Sequence, residues 1–364
     1  KIDYISTKLK KRIPNYQDYF FLNSEYLELD YKNNKTQIKA KGKYSFNDKF
    51  DDYEINIINQ NDQYKFDSSI NLKSNSFNVE EIDYKKSKDT SSIIKLKGNY
   101  IKNKDITIDH AIYSEDKNKI AISNLQLSKD YKIKDIDALE LNYLNKNEKL
   151  NFIKLSKSKD KYVLIGEHFD GESLVNNLLG GDSNNSFLKV FKNLNSEIAI
   201  NLDNFYSGNK SNLNNVKGKI FVKNNIIKSG KIDALLNEKY EFSLNIKTNS
   251  NSEKTTNLYI ERPEPFIKNY KFIKGFDEGS LSYDSIKKNG LSKSTLKIYD
   301  FKVKEVPVLA KILTLASLQG IADLLTGEGI RFDELEMDYV NRDENNTIIN
   351  EMYAIGPAIS ILLE

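Results

Sequence analysis

Two histidines occur in this chain, His110 in ITIDHAIY and His168 in LIGEHFDG, and the second has the richer surroundings. Glu167 and Asp170 flank it, a combination suited to acid–base work or to holding a metal ion. Neighbouring residues of an extended strand point to opposite faces, so EHFD is not a preassembled ligand set and is expected to be a strand end or turn. Glu334, Glu336 and Asp338 in DELEMDY share one strand face and could attract a cation. A wet outer face opposite Leu335 and Met337 accounts for them more simply. DSNNS at 182–186 has the outline of a calcium loop without its glycine or its distal glutamate. TGEGI at 326–330 reads as a helix running out into a strand, the reverse of a phosphate cradle, and no GK[ST] follows it. The chain has no cysteine, which removes thiol chemistry and disulfides and, without clustered histidine, argues against structural zinc. No catalytic, cofactor-binding or metal-ligating residue is assigned: the chain is expected to be non-enzymatic and to use no cofactor.

Whatever the chain does must then come from its surfaces. At 364 residues it can bury a substantial core. Hydrophobic residues make up only 39%, yet 22 Tyr and 18 Phe are far too many for a disordered chain. Only 5 Pro are present, which suits long uninterrupted strands. The 55 basic and 52 acidic residues nearly cancel, and lysines alternate with Asp, Glu and Asn, so no basic stripe marks a nucleic-acid interface. The opening KIDYISTKLKKR is charged, lacks a signal-like apolar run and begins without Met, so the chain reads as a portion of a longer protein.

Period-two alternation dominates. Phe242, Leu244 and Ile246 in EFSLNIK point one way and their polar neighbours the other. Ile55 with Ile57, Ile70 with Leu72, Ile106 with Ile108 and Leu296 with Ile298 repeat the pattern. KNK at 102–104, EDKNK at 115–119 and NKNEK at 145–149 punctuate it as turns. The expected fold is mainly β: an extended, curled antiparallel sheet whose apolar face forms an elongated hydrophobic groove. Two helices are expected to interrupt it. A short one near 171–179 places Leu174, Leu178 and Leu179 on one face and stops at Gly180 and Gly181. A longer apolar one near 306–326 starts at Pro307 and ends at Gly327 and Gly329. It reads as a plug inside the sheet, a cap or membrane-facing element at one end of a groove, or a membrane span, its length of about 30 Å being set against Lys311, Gln319, Gly320 and Asp323 within it. The chain is expected to divide into a strand-rich segment, 1–165, and a C-terminal module, 166–364.

A sheet with one apolar face must cover that face or offer it to an apolar ligand. Moving an acyl chain out of water onto such a face is worth about 0.8 kcal/mol per methylene. The sheet ladders pair the backbone groups that lipid could not. A closed sandwich would show nearly the same alternation.

The stretch 295–339, TLKIYDFKVKEVPVLAKILTLASLQGIADLLTGEGIRFDELEMDY, resembles the AsmA-like C-terminal region of the long envelope-spanning bacterial proteins of the AsmA, YhdP and TamB group, nearest to the YhdP-like branch. The resemblance lies in DFKV, then Pro307, Leu309 and Ala310, ASLQGI at 316–321, LLTGEGIRF at 324–332 and YAIGPAIS at 353–360. A weaker likeness sits at FDGESLVNNLLGG, 169–181. The resemblance implies a periplasmic segment of an inner-membrane-anchored protein of a Gram-negative bacterium. Such a segment conducts phospholipid between inner and outer membranes along an apolar groove, contacting the membranes through parts outside this chain. It further implies that Leu309, Ile312, Leu313, Leu318, Ile321 and Leu325 form the apolar helix at the groove, with Phe301, Val303, Ile330 and Phe332 on the flanking strands. The family's N-terminal membrane helix has no counterpart here, and ISILLE at 359–364 stops where the family pattern continues, so a truncated C-terminus is expected. The alternative reading is an envelope scaffold or assembly protein with no lipid conduit of its own.

Overall fold

The computed structural model describes residues 21–46, 49–102, 104–172, 187–208, 211–270, 275–304, 329–342 and 346–363. Two compact units divide the chain, one formed by Lys1–His168 with Phe187–Leu194 and the other by Phe169–Ser186 with Asn195–Glu364.

The first unit is an antiparallel meander. Its strands are β1 (Phe21–Lys32), β2 (Lys35–Ser45), β3 (Asp51–Gln60), β4 (Gln63–Asn71), β5 (Phe77–Val79), β6 (Tyr84–Lys86), β7 (Ser92–Ile101), β8 (Ile106–Glu115), β9 (Asn118–Leu127), β10 (Ile133–Asp135), β11 (Ala138–Leu144), β12 (Leu150–Ser158) and β13 (Lys161–Asp170). Pairing follows chain order from β1 to β4, passes to β7, and continues through β8, β9, β11, β12 and β13. β5 and β6 form a separate ribbon, and β10 pairs briefly with β9. The turn residues explain the tight registers. Asn33–Asn34 and Asn61–Asp62 both hold left-handed φ values, 51°, 57° and 51°, 59°. Two such residues in succession make the two-residue hairpin turn whose twist matches the strands, and Asn and Asp tolerate that region best after glycine.

The second unit is also a meander: β14 (Ser196–Tyr206), β15 (Asn212–Lys223), β16 (Ile226–Leu236), β17 (Tyr240–Thr248), β18 (Lys254–Ile260), β19 (Phe276–Lys288), β20 (Leu291–Val303), β21 (Ile330–Asn341), β22 (Thr347–Ile355) and β23 (Ser360–Leu363). Each pairs antiparallel with its chain neighbours. A seven-residue helix, α1 (Glu264–Tyr270), lies between β18 and β19 and packs against β19, with Ile267 buried.

Each unit packs tightly at one end of its strands. In the first, the β5–β6 ribbon brings Tyr84 edge-on to Tyr113 and Tyr143, ring centroids 5.8 and 5.6 Å away. The Tyr84 hydroxyl bonds that of Tyr113 at 2.7 Å and donates to the buried Glu115 carboxylate, and Tyr143 donates to the Ile82 carbonyl at 2.7 Å. Burial, reinforced by Glu115, holds the Tyr84 phenol far above its ordinary pKa. In the second unit Phe276, Phe301 and Phe332 stack with centroids 5.6 and 5.2 Å apart. The stack depends on a shared change of side-chain parity. Ile298 and Phe301 on β20 are three residues apart, as are Phe332 and Leu335 on β21, yet the first three of these are fully buried. Left-handed residues accompany the change, Asp300 at φ 52° on β20 and Gly279 at φ 80° on β19. A Cβ at Gly279 would lie 2.8 Å from Phe301 Cβ and 2.9 Å from the Tyr299 carbonyl, so only glycine fits.

The mainly β, antiparallel expectation stands, but its helical part is corrected. The one α-helix given whole among the described residues is α1, at a place where none was expected, and no helix among them is long and apolar enough to cross a membrane. The helices expected near 171–179 and 306–326 are not among the described elements: apart from Gly171 and Glu172, they fall in 173–186 and 305–328, outside the described residues. Apolar periodicity over a short run does not by itself distinguish a helix from other buried segments, and those expectations rested on it. The reverse error hid α1, whose EPFIKNY is too short to show a helical period.

Candidate functional site

With strand registers known, the side chains fall into rows that cross the sheets. In the second unit, direct partners on β17 through β22 give a first row of Phe242, Ile260, Leu281, Ile298, Leu335 and Ala354. All but Leu335 are buried. Two residues along each strand lies a second row, Leu244, Leu258, Tyr283, Leu296, Met337 and Met352. Every member of it is only half-buried. In the first unit a longer row crosses from β2 to β13: Ala40, Ile55, Ser68, Leu96, Ala111, Ile122, Leu139, Leu155 and Leu164. It too is half-buried throughout. In the parallel row beside it, Phe66 lies over Gly98, where an added Cβ would come 2.9 Å from the ring. A sandwich core would bury such rows fully. Here the strands beneath are ladder-paired, and among the described residues these side chains stay half-buried rather than enclosed.

The opposite faces carry most of the charged residues, several of them paired across strands. Lys297 meets its direct partner Glu336 at 2.7 Å, Tyr353 donates to Glu336 at 2.7 Å, and Thr295 donates to Asp338 at 2.5 Å. The Lys297 ammonium and the Tyr353 hydroxyl hold the Glu336 carboxyl below its ordinary value. The carboxylates of DELEMDY are thus spent on neighbours rather than gathered round a cation. On the first unit, Glu140 sits between Lys154 and Lys119, at 3.7 and 3.8 Å.

Other candidate chemistry does not converge. His110 is exposed on the polar face, opposite Ser123 and Lys97. Glu167 is exposed at a register shift of β13 while Asp170 is buried and accepts from the Glu172 amide at 3.2 Å. Among the described residues no group of three or more His, Cys, Asp or Glu could hold a metal ion. An open depression of about 510 Å³ includes Lys49, Asp51, Lys73 and Asp89. Its most enclosed carboxylate, Asp51, is occupied by the Ser74 amide at 3.0 and 2.9 Å and the Asn75 amide group at 2.9 Å, a structural arrangement.

No protein-family model, curated protein or solved structure matches this chain.

Of the residues singled out beforehand, Phe242, Leu244, Leu296 and Ile298 belong to the two rows of the second unit, and Ile246 continues the face. Phe301, Val303, Ile330 and Phe332 come together at its packed end, all buried. Leu309, Ile312, Leu313, Leu318, Ile321 and Leu325 lie outside the described residues. Sequence reasoning missed Leu258, Tyr283 and Phe276, while Met337 lies, as expected, opposite the carboxylate face. The first two alternate correctly but have polar or aromatic company that weakened the signal, and Phe276 is separated from Leu281 by the left-handed Gly279.

The packed end is also held by charge. Lys304 lies 2.5 Å from Asp277, next to Phe276, and its ammonium holds the Asp277 carboxyl down at about 2. A carboxyl with a lowered folded pKa stabilises the fold above its unfolded value and loses that contribution as pH falls through the folded one. Acid titration is therefore expected to weaken the second unit between roughly pH 4 and pH 2, and Asp277→Asn to flatten that part of the stability profile. Denaturation midpoints measured across this range check it; identical profiles for the two proteins would remove Asp277 as the titrating group.

Proposed function

We propose that this chain is a non-catalytic lipid-carrying segment of a bacterial envelope protein, working in the periplasm of a Gram-negative cell and holding phospholipid acyl chains on the apolar faces of its sheets. The observation that supports this most directly is the half-buried row running from Ala40 to Leu164 across successive strands of the first unit, with its counterpart from Leu244 to Met352 in the second. A continuous apolar surface over ladder-paired backbone is what an acyl chain requires, because each buried methylene contributes about 0.8 kcal/mol and no unpaired backbone group faces the lipid. Such a surface needs no converging catalytic groups. The resemblance of 295–339 to the AsmA-like region favours the same reading, in which the segment belongs to a longer bridge between the two membranes.

Native mass spectrometry of the gently purified chain, followed by lipid extraction, tests it. Phospholipid is expected to co-purify, and Leu244→Asp with Leu296→Asp is expected to abolish it while the far-UV circular dichroism of the sheet persists. A folded, lipid-free chain that also refuses added phospholipid would replace this reading with that of an envelope scaffold.

A further inference from the structure

The apolar face of the second unit ends in a polar margin whose composition is unlike that of the opposite face. Beyond the half-buried row, direct partners give Ile246, Thr256, Ser285, Ser294 and Tyr339, then Thr248, Lys254, Lys287, Ser292 and Asn341. No register shift intervenes on β18, so Lys254 shares its face with Leu258 and Ile260. Lys254 and Lys287 stand directly opposite each other, an arrangement of like charges that destabilises an antiparallel pair. Lys228, near the start of β16 beyond β17, adds a third positive charge within electrostatic reach of Lys254.

On the polar face Lys297 is paired with Glu336 and Lys231 with Asp233. Among the described residues no carboxylate is placed to neutralise Lys254. The nearest acid in sequence, Glu253, is taken by Lys288 at 2.9 Å and by the Asn249 amide group at 2.9 Å. Burial, then Lys287 and Lys228, push the Lys254 ammonium below its ordinary pKa. Beside the lysines is a hydroxyl cluster: Ser285 lies 2.9 Å from both Ser292 and Ser294, and Ser294 lies 3.2 Å from the Tyr283 hydroxyl. Ser285 and Ser294 are buried. The amide oxygen of Asn341, in the same row as Lys254, is buried with no hydrogen-bond partner among the described residues. The margin thus holds uncompensated positive charge, hydroxyl donors and one free acceptor.

We propose that this margin binds a phosphodiester, the headgroup of a glycerophospholipid whose acyl chains lie on the adjoining apolar rows. The inference rests on the lipid reading above and deepens it by naming the class of headgroup. Lys254 and Lys287 neutralise the phosphate, the half-buried Ser292 hydroxyl donates to one of its oxygens, and Asn341 accepts from a headgroup hydroxyl or ammonium. The geometry suits an amphiphile: from Lys254 to Ile260 the strand advances about 20 Å, polar at one end and apolar at the other. The same lysines, left without an anion, weaken the empty sheet.

Titration calorimetry on the full chain separates the possibilities, using dihexanoyl phosphatidylglycerol below its micellar concentration, dihexanoylglycerol and inorganic phosphate as probes. Lys254→Met is expected to weaken the phospholipid roughly tenfold or more, to leave dihexanoylglycerol unchanged, and to raise the melting temperature of the lipid-free protein. Lys254→Arg, which keeps the charge, is expected to retain phospholipid binding and guards against a variant that fails for reasons of packing. Equal binding of phospholipid and dihexanoylglycerol, both indifferent to Lys254→Met, would overturn the headgroup site while leaving the lipid reading intact. Phosphate binding that depends on Lys254, with no uptake of either acylated probe, would identify a site for free phosphate and overturn the lipid reading. No binding of any probe would overturn both.

Discussion

Phe301→Ala is expected to cost the second unit about 3–5 kcal/mol, the range for removing a large aromatic side chain from a packed core. Phe301 is the middle ring of the three-ring stack, 2% exposed, and touches Phe276 on one side and Phe332 on the other. Its loss opens a cavity between two rings carried on different strands, and the surrounding strands resist collapse because the Gly279 turn of the backbone fixes their approach. The control is Phe221→Ala, an aromatic residue 42% exposed on β15, expected to change stability by no more than about 0.5 kcal/mol. Urea denaturation followed by circular dichroism gives both values. Similar losses for the two variants would show that the stack is not the centre of this core.

A comparable loss, again about 3–5 kcal/mol, is expected for Tyr84→Ala in the first unit. Tyr84 comes from the short β5–β6 ribbon rather than from the main meander, and its ring fastens that ribbon to the main strands together with the Tyr143 bond to the Ile82 carbonyl. Truncation removes edge contacts with Tyr113 and Tyr143 and deprives Glu115 of a donor. Tyr84→Phe isolates the second effect. It keeps the ring and leaves a buried carboxylate short of one hydrogen bond, for which about 1–3 kcal/mol is expected. Hydrogen exchange read on peptides spanning 77–86 and 113–145 distinguishes the two, since only the alanine variant should release the ribbon. Unchanged protection in Tyr84→Ala would mean that the ribbon is held by other contacts.

How much of this was legible in the sequence depended on whether a residue obeyed strict alternation. Leu244 with Ile246 and Leu296 with Ile298 did, and the structure puts each pair on the expected face. Alternation alone would have sent Phe301 to the side opposite Ile298. Only the family likeness expected of the surrounding segment pointed to it, and the left-handed Asp300 is what brings it inward. Asn124 plays the same part between Ile122 and Leu125, at φ 48°. A single Asn or Asp inside a strand looks like an ordinary polar residue, so these switches had no distinctive signature. Lys254 was invisible for a different reason. Among 55 basic residues nothing in the order of letters shows that one faces the apolar side opposite a second lysine; only the register of β18 against β19 does. The β5–β6 ribbon depends on contacts between residues as far apart as Ile82 and Tyr143, a separation that local pattern does not encode.

The order of strand pairing has a consequence for how the chain is made. Nearly every ladder closes between strands adjacent in sequence, most of them joined by a turn of a few residues. Contacts this local give low contact order for an all-β protein, and loop closure adds little to the barrier. A chain emerging from a ribosome or a translocation pore can therefore settle hairpin by hairpin behind the point of exit, each finished hairpin offering its free edge to the strand that follows. Length is then an adjustable quantity: a duplicated or deleted hairpin lengthens or shortens the assembly by two strands while every other partner keeps its place.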